Sequence, residues 1–215
     1  YLQTNEVEIV SPFVEHIGEP LSVFVPSVDD MLADKLTAFA PNTTGIPYLK
    51  GDRDCSLEII KQLYDVGRLF DCSSAFSITS EAFKKIALVE LQYRKLAEDL
   101  QLIYNDIRNT ALCLATRGAL GHGDFKMLQS GVKKLSSLLY KGNYHIEHAI
   151  TDAAKAAYLA TLMETGQEKV ERYTGDPLSV VPMALASSVD NKLNKLKKTL
   201  PEAYFYWVKI GEFLE

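Results

Sequence analysis

The clearest strand pattern of the chain lies between residues 1 and 26. Val7 and Ile9 alternate with glutamates, and after a Gly-Glu-Pro turn the apolar positions 21, 23 and 25 alternate with positions 22 and 24. A period of two is typical of strands that bury one face. The pattern predicts two strands that end at Val25-Pro26. Because a two-stranded ribbon is marginal by itself, we expect them to belong to a sheet whose other strands are missing or lie upstream.

Helical periodicity replaces this alternation after Pro26. Ser27, with Asp30 three residues later, predicts the start of a helix over 27–39. A loop with two prolines and two glycines follows at 41–54, and a second amphipathic helix is predicted over 56–70. No Gly or Pro interrupts 80–117, which predicts one long helix. Further helices are predicted at 125–140, 145–164, 167–173, 190–199 and 201–214.

These elements predict a mainly α protein with a small N-terminal β element, an α+β fold in which a helical array follows two strands. The composition agrees with a globular chain, because 47% of the residues are apolar and 24% are charged. No apolar run approaches the roughly 18 residues of a membrane helix. The three cysteines form no Cys-x-x-Cys pair. We therefore expect a soluble protein with reduced thiols in the cytoplasm.

The net charge of the chain bears on whether it binds nucleic acid. The chain has 23 basic and 28 acidic residues, which gives a net charge of −5. Proteins that bind nucleic acid over their whole surface carry a strong basic excess, so this chain is not expected to be one of them. A local basic cleft remains compatible with the composition.

Two lysines and an aspartate on the first two predicted helices are the main candidates for chemistry. Lys35 lies one turn after Met31, so its ammonium group emerges beside the apolar stripe of the helix. A lysine that has only a structural role, with its stem over the edge of a core, has the same position. Lys61 and Asp65 are four residues apart and share one helix face, as in an ordinary surface ion pair. Taken alone, these spacings favour a structural interpretation.

Two segments that contain these residues resemble a known family. The stretch from Val25 to Ala40 and the stretch from Ile59 to Val66 resemble the AbiEii/AbiGii family, which are nucleotidyltransferase-like toxins of bacterial abortive-infection and toxin–antitoxin systems. Ala-Asp-Lys-Leu at 33–36 is similar to the family's lysine motif, and Lys-Gln-Leu-Tyr-Asp at 61–65 is similar to its Lys-Asp-x-x-Asp motif. Gln62 departs from that pattern, since the family often has an acid there.

The resemblance covers residues 1 to about 75 and implies a division of the chain. Residues 1–75 would be the C-terminal part of a nucleotidyltransferase-like core, with strands that belong to its sheet, and residues 76–215 would be a helical domain. Within the core, Lys35 would contact the triphosphate or assist the transfer, and Asp65 would orient that lysine or the acceptor. Lys61 would be a secondary phosphate contact.

The resemblance also implies substrates, a cofactor and partners. The intact protein would transfer nucleotide from a nucleoside triphosphate to an RNA acceptor such as tRNA, with Mg²⁺ as cofactor and a cognate antitoxin that acts without direct contact. The family holds Mg²⁺ with two aspartates that follow a Gly-Ser pair, and no Gly-Ser pair occurs in these 215 residues. We therefore expect the metal ligands to lie upstream of Tyr1, with none in this chain. We also expect this chain alone to be inactive.

Two alternatives from other functional classes remain open. In the first, the chain is a non-catalytic helical interaction module in which Lys35 and Asp65 are only structural. In the second, Arg117 and His122 form the Arg-x4-His motif of HEPN-like ribonucleases. The glycines between them predict a loop at this position, whereas those enzymes use a helical setting.

A short basic segment near the C-terminus is a further candidate for RNA contact. It contains four lysines, at positions 192, 195, 197 and 198, within the predicted helix 190–199. Such a face can contact RNA phosphates, and it is also typical of a solvated amphipathic helix. We favour the solvated helix.

Overall fold

The computed structural model describes residues 4–11, 13, 15, 17–140 and 142–215. In this part of the chain the strands form two short ribbons, and the other elements are helical. The strands are β1 (Thr4–Glu8), β2 (Ser22–Pro26), β3 (Leu49–Lys50) and β4 (Arg53–Asp54). The α-helices are α1 (Val28–Ala38), α2 (Ser56–Cys72), α3 (Phe76–Tyr93), α4 (Leu100–Ala115), α5 (Phe125–Ser136), α6 (Ile146–Thr165), α7 (Leu196–Thr199) and α8 (Pro201–Leu214). The predicted α+β fold, mainly helical with a small N-terminal β element, is confirmed.

The N-terminal ribbon is an antiparallel hairpin. Thr4 pairs with Pro26 and Glu8 pairs with Ser22, so the apolar residues at 7, 9, 21, 23 and 25 lie on one face. That face is only partly covered, because Val7, Ile9 and Leu21 are exposed. Among the described residues, β1 and β2 pair only with each other.

Helix α1 begins at the predicted cap. The Ser27 hydroxyl accepts a hydrogen bond from the Asp30 backbone N–H at 3.1 Å and donates one to the Asp30 carboxylate at 2.7 Å. These bonds satisfy a backbone donor that no helical carbonyl can reach at the first turn. Between α1 and α2, the predicted loop contains the small ribbon β3–β4, whose turn places Gly51 at a φ of 63°.

Helix α6 forms the centre of the molecule and packs against α2, α4 and α8. It is buried on nearly every side over 149–163, and six of its residues there are alanines, at 149, 153, 154, 156, 157 and 160. Small side chains allow neighbouring helices to approach closely. At one such approach, a Cβ on Gly67 of α2 would overlap the Asp152 carboxyl of α6.

The predicted helix over 80–117 is wrong, because the structure divides it into α3 and α4. Helix α3 packs against α1, and α4 packs against α6. Arg94, in the connection, donates to the carbonyls of Thr44 and Gly45 at 2.9 and 2.8 Å, and the Asp99 side chain caps α4. Arg94 therefore connects the break to a loop distant in sequence, and Asp99 is a local start signal for α4.

The predicted short helix at 167–173 is also wrong. This segment is non-helical, and its backbone bonds to side chains of packed helices. The Glu171 N–H donates to the Tyr158 hydroxyl at 2.9 Å, and the Tyr173 N–H donates to the Tyr206 hydroxyl at 3.3 Å. By contrast, the predicted helix at 201–214 is confirmed as α8, with Pro201 in its first turn.

One hydrophobic core includes residues from both parts of the predicted division at residue 75. Phe70 of α2 meets Tyr206 of α8 edge to face, with 5.5 Å between their ring centroids. The division itself stays a prediction. None of the helices in the described ranges combines the length and the apolar character that crossing a membrane would require.

Candidate functional site

Lys35 lies in the second half of α1, at the edge of the core. Its side chain is 30% exposed, and its Nζ atom donates to the Asp34 carboxylate at 3.0 Å. Leu36 and Leu32, on the inner face of the same helix, are fully buried. The helix therefore presents the Lys35 ammonium at the boundary between core and solvent, as the position of the apolar stripe predicts.

Asp65 lies near the middle of α2, one turn after Lys61. Its carboxyl is half-buried, and this burial raises its pKa above the usual range, while the charges of Lys35 and Lys61 act in the opposite direction. Since Lys35 belongs to α1, the packing of α1 against α2 brings the three predicted site residues within electrostatic reach of one another. Sequence spacing predicts that Lys61 and Asp65 are neighbours, but it cannot predict the approach of Lys35.

A cavity of about 440 Å³ opens beside α1. Asp34, the ion-pair partner of Lys35, lines it together with Lys50, Glu90 and Arg94. A volume of several hundred Å³ is in the range of small-molecule sites. This cavity lies next to the Lys35–Asp34 pair, although the Lys35 side chain does not line it.

A buried polar cluster on α6 escaped the sequence reasoning. The side chain of Asp152 is 1% exposed, and it accepts a hydrogen bond from the Tyr144 hydroxyl at 2.9 Å. Arg68 of α2 pairs with it at 3.4 Å. Lys155, almost equally buried, bridges the carboxylates of Asp71 and Glu202 at 2.8 and 3.0 Å. We define these six residues as the α6 cluster.

The α6 cluster borders a cavity of about 320 Å³. Burial raises the pKa of Asp152 to about 6, although Arg68 and Lys155 favour its charged form. The same burial raises the pKa of Tyr144 well above its usual range. Two charged residues within the Ala-rich, apolar stretch 149–163 were the sequence signal that could have revealed this cluster, since buried charges need partners.

Arg117 and His122 line one cavity, of about 640 Å³, between the end of α4 and the start of α5. Both lie outside helices, as the intervening glycines predict, and Arg117 has a left-handed backbone with a φ of 54°. Its guanidinium pairs with Glu147 at 3.0 Å. The HEPN-like ribonuclease stays a prediction, because a shared cavity is not evidence of RNA cleavage.

The basic segment near the C-terminus is partly engaged in packing. Lys197 donates to the Met183 carbonyl at 2.6 Å, and its Nζ atom lies 5.5 Å from the centroid of the Tyr204 ring. The other three lysines are exposed. This arrangement agrees with a solvated helix face whose one inward lysine is structural.

Metal-binding side chains do not converge in the part of the chain that the structure describes. Within those ranges, no group of three or more His, Cys, Asp or Glu side chains is arranged to hold a metal ion. The residues described therefore do not fit a magnesium site.

Comparison with known proteins gives no match: no family model, no curated protein and no solved structure is similar to this chain. The resemblance to the AbiEii/AbiGii family therefore depends on the lysine motif and on the motif at 61–65 alone.

Proposed function

We propose that this chain carries the lysine and aspartate part of a nucleotidyltransferase centre that transfers nucleotide from a nucleoside triphosphate to RNA, as in AbiEii-like toxins. The observation that supports the proposal best is that the charge of Lys35 on α1 acts on the half-buried Asp65 carboxyl on α2, together with the charge of Lys61. Ion pairs between neighbouring residues of one helix are common on protein surfaces. A half-buried carboxylate that two lysines from two helices approach is a more specific arrangement.

The chemistry of nucleotidyl transfer suits these groups. Negative charge builds up on phosphate oxygens during the reaction, and a fixed ammonium group stabilises it. Lys35 would supply this ammonium after exchanging Asp34 for a phosphate oxygen, an exchange that the partial exposure of both side chains allows. Asp65 would hold Lys35 in place by its charge, and Lys61 would attract the triphosphate from the open side of α2.

The roles of Lys35, Lys61 and Asp65 involve no metal ligand among the described residues, which do not fit a magnesium site. A lysine ammonium is a compact donor with three protons, and it can bridge oxygens of two phosphate groups. The proposal for this chain is therefore limited to binding the triphosphate and stabilising the negative charge that develops on its phosphate oxygens.

Substituting Lys35 and Asp65 in the complete reading frame that encodes this chain tests the proposal. We expect Lys35→Gln and Asp65→Asn each to reduce the incorporation of labelled nucleotide into RNA by about 100-fold, the usual effect of losing one transition-state contact. Growth inhibition on induced expression should be lost in parallel. The matched controls are Lys84→Gln and Glu81→Gln, which remove the same charges from exposed positions of α3.

Two results would contradict the proposal. The first is an unsubstituted protein that transfers no nucleotide, and the second is a pair of variants that remain as active as the controls. Either result would favour the alternative of a helical interaction module, in which Lys35 and Asp65 stabilise the packing of α1 against α2. Circular dichroism of every variant separates loss of function from loss of fold.

A further inference from the structure

The cavity between α4 and α5 is lined by more basic than acidic side chains, and the proposed transfer does not use it. We define it as the α4–α5 cavity, of about 640 Å³. Three basic side chains line it, from Arg117, His122 and Lys126. The one acidic residue among the lining residues is Asp124.

The Asp124 carboxylate is already engaged by the protein. It caps α5 by accepting a hydrogen bond from the Met127 backbone N–H at 3.0 Å. One backbone N–H of the first turn is therefore satisfied, and Arg117 and Lys126 are the positively charged side chains that line the cavity. In a chain with a net charge of −5, this local excess of basic groups favours an anionic ligand.

Arg117 is held in an unusual backbone conformation but has an exchangeable partner. A left-handed φ costs roughly 1 kcal/mol for a residue with a side chain. Its guanidinium pairs with Glu147 at 3.0 Å, and the two side chains are 48% and 50% exposed. Because ion pairs at such exposure contribute little, a ligand phosphate can replace Glu147 at small cost.

The uncharged walls of the cavity suit a nucleotide. Tyr48 has a buried hydroxyl, and burial raises its pKa, so this wall stays neutral. The Asp124 backbone and the Thr110 side chain act on this pKa in the opposite direction, and burial outweighs them. Gly123 leaves room for it, since a Cβ there would lie 2.7 Å from the Tyr48 oxygen. The Phe125 ring and the Asn42 amide complete the lining.

We propose that the α4–α5 cavity binds a phosphate group, with Arg117 and Lys126 as its charged contacts and His122 as a further hydrogen-bond donor. Guanidinium and ammonium groups are the usual partners of phosphate oxygens. The phosphate can belong to a free 5′-mononucleotide or to a phosphodiester of single-stranded RNA, and the experiment below separates the two. The proposal is independent of nucleotide transfer at Lys35 and Asp65.

Binding of three probes to the folded chain at low salt tests the proposal: inorganic phosphate, AMP and a short single-stranded RNA. We expect Arg117→Gln and Lys126→Gln each to weaken binding by about tenfold, because each removes one charge-assisted contact. Lys133→Gln is the matched control, since Lys133 is an exposed lysine on the same helix outside this cavity. It should change affinity less than twofold. A mononucleotide site holds AMP at least as tightly as RNA, whereas a phosphodiester site prefers RNA.

A gain of affinity provides a second test that partial unfolding cannot imitate. Glu147→Gln removes the partner that Arg117 must leave, so we expect it to strengthen phosphate binding by a few-fold. Glu168→Gln is the control, because it changes the net charge equally at an exposed position. This control should not strengthen binding.

Several outcomes would overturn the proposal. One is the absence of binding of all three probes at millimolar concentration. Another is equal losses in Lys126→Gln and Lys133→Gln, which would indicate general electrostatic attraction. RNA cleavage by the unsubstituted protein, lost in His122→Ala, would assign the cavity to the ribonuclease alternative and remove the case for a binding site.

A separate result distinguishes this proposal from the proposed function. Loss of nucleotide transfer in Lys35→Gln, with phosphate binding unchanged, would support both proposals separately.

Discussion

The pKa of Asp152 shows how strongly the surroundings of a single residue affect its ionisation. It lies in the most buried helix of the molecule, where an isolated carboxylate would be costly. Arg68 and the Tyr144 hydroxyl bond to it, Lys155 adds a positive charge nearby, and Asp71 adds an opposing negative one. Burial outweighs these partners, so the pKa of Asp152 rises from 3.8 to about 6.

We expect Asp152→Asn to alter how stability depends on pH. A carboxyl whose pKa is higher in the folded state stabilises the fold below the unfolded pKa, and this contribution is lost as pH rises from about 4 to above 6. The shift corresponds to roughly 3 kcal/mol at about 1.4 kcal/mol per pKa unit. The free energy of unfolding of the variant, relative to the unsubstituted protein, should therefore rise by up to that amount between pH 4 and pH 7.

Urea denaturation at several pH values measures this difference. Taking the variant relative to the unsubstituted chain cancels the contributions of other groups, such as Asp54, whose pKa is lowered by its bonds to Lys134 and Ser56. A difference that stays constant across this pH range would contradict the raised pKa of Asp152.

At the scale of elements, the connection between α3 and α4 has the clearest local cause. Lys95 has a left-handed φ of 57°, and the backbone N–H groups of Lys95 and Leu96 donate to the carbonyls of Gln92 and Leu91. This is the Schellman motif, which normally has glycine at the left-handed position. The sequence has lysine there, so no glycine signalled the end of α3.

We expect Lys95→Gly to stabilise the protein by about 1 kcal/mol, because glycine adopts the left-handed conformation without strain. The matched change is Lys85→Gly at an exposed position inside α3, where glycine should cost about 1 kcal/mol. Chemical denaturation of both variants measures the two effects. Destabilisation by both changes would contradict a left-handed Lys95.

At the scale of the whole molecule, packing connects the segments before and after residue 75. Helix α2 packs against α5 and α6, and Phe70 of α2 contacts Tyr206 of α8. Asp29 of α1 accepts a hydrogen bond from the Thr79 hydroxyl of α3 at 3.4 Å. These contacts favour a single cooperative unit in unfolding.

A substitution in α2 should therefore destabilise α8 as well. Ile60 is fully buried, so we expect Ile60→Ala to cost about 2–5 kcal/mol. The fluorescence of Trp207, a buried residue of α8, should report the same shifted midpoint as circular dichroism. Two separate transitions, with Trp207 unaffected, would instead favour independent folding of the predicted parts 1–75 and 76–215.

The local elements were largely predictable from the sequence. The alternation of apolar and polar residues predicts the two N-terminal strands, the Ser27 cap predicts the start of α1, and Pro201 predicts the start of α8. Each of these signals acts within a few residues of the chain. Lys61 and Asp65 could also be assigned to one face by spacing. The end of α3 could not be predicted, because it depends on a left-handed lysine and on Arg94 bonding to a loop some fifty positions earlier.

By itself, the sequence therefore determined the helical class, most element boundaries and the candidate residues Lys35, Lys61 and Asp65. Only the tertiary structure decided that the charge of Lys35 acts on Asp65, that Asp152 is buried beside Arg68, and that Arg117, His122 and Lys126 line one cavity. The reason is physical: caps and periodicity act between neighbouring residues, whereas the electrostatic surroundings of a side chain depend on which helices pack against it.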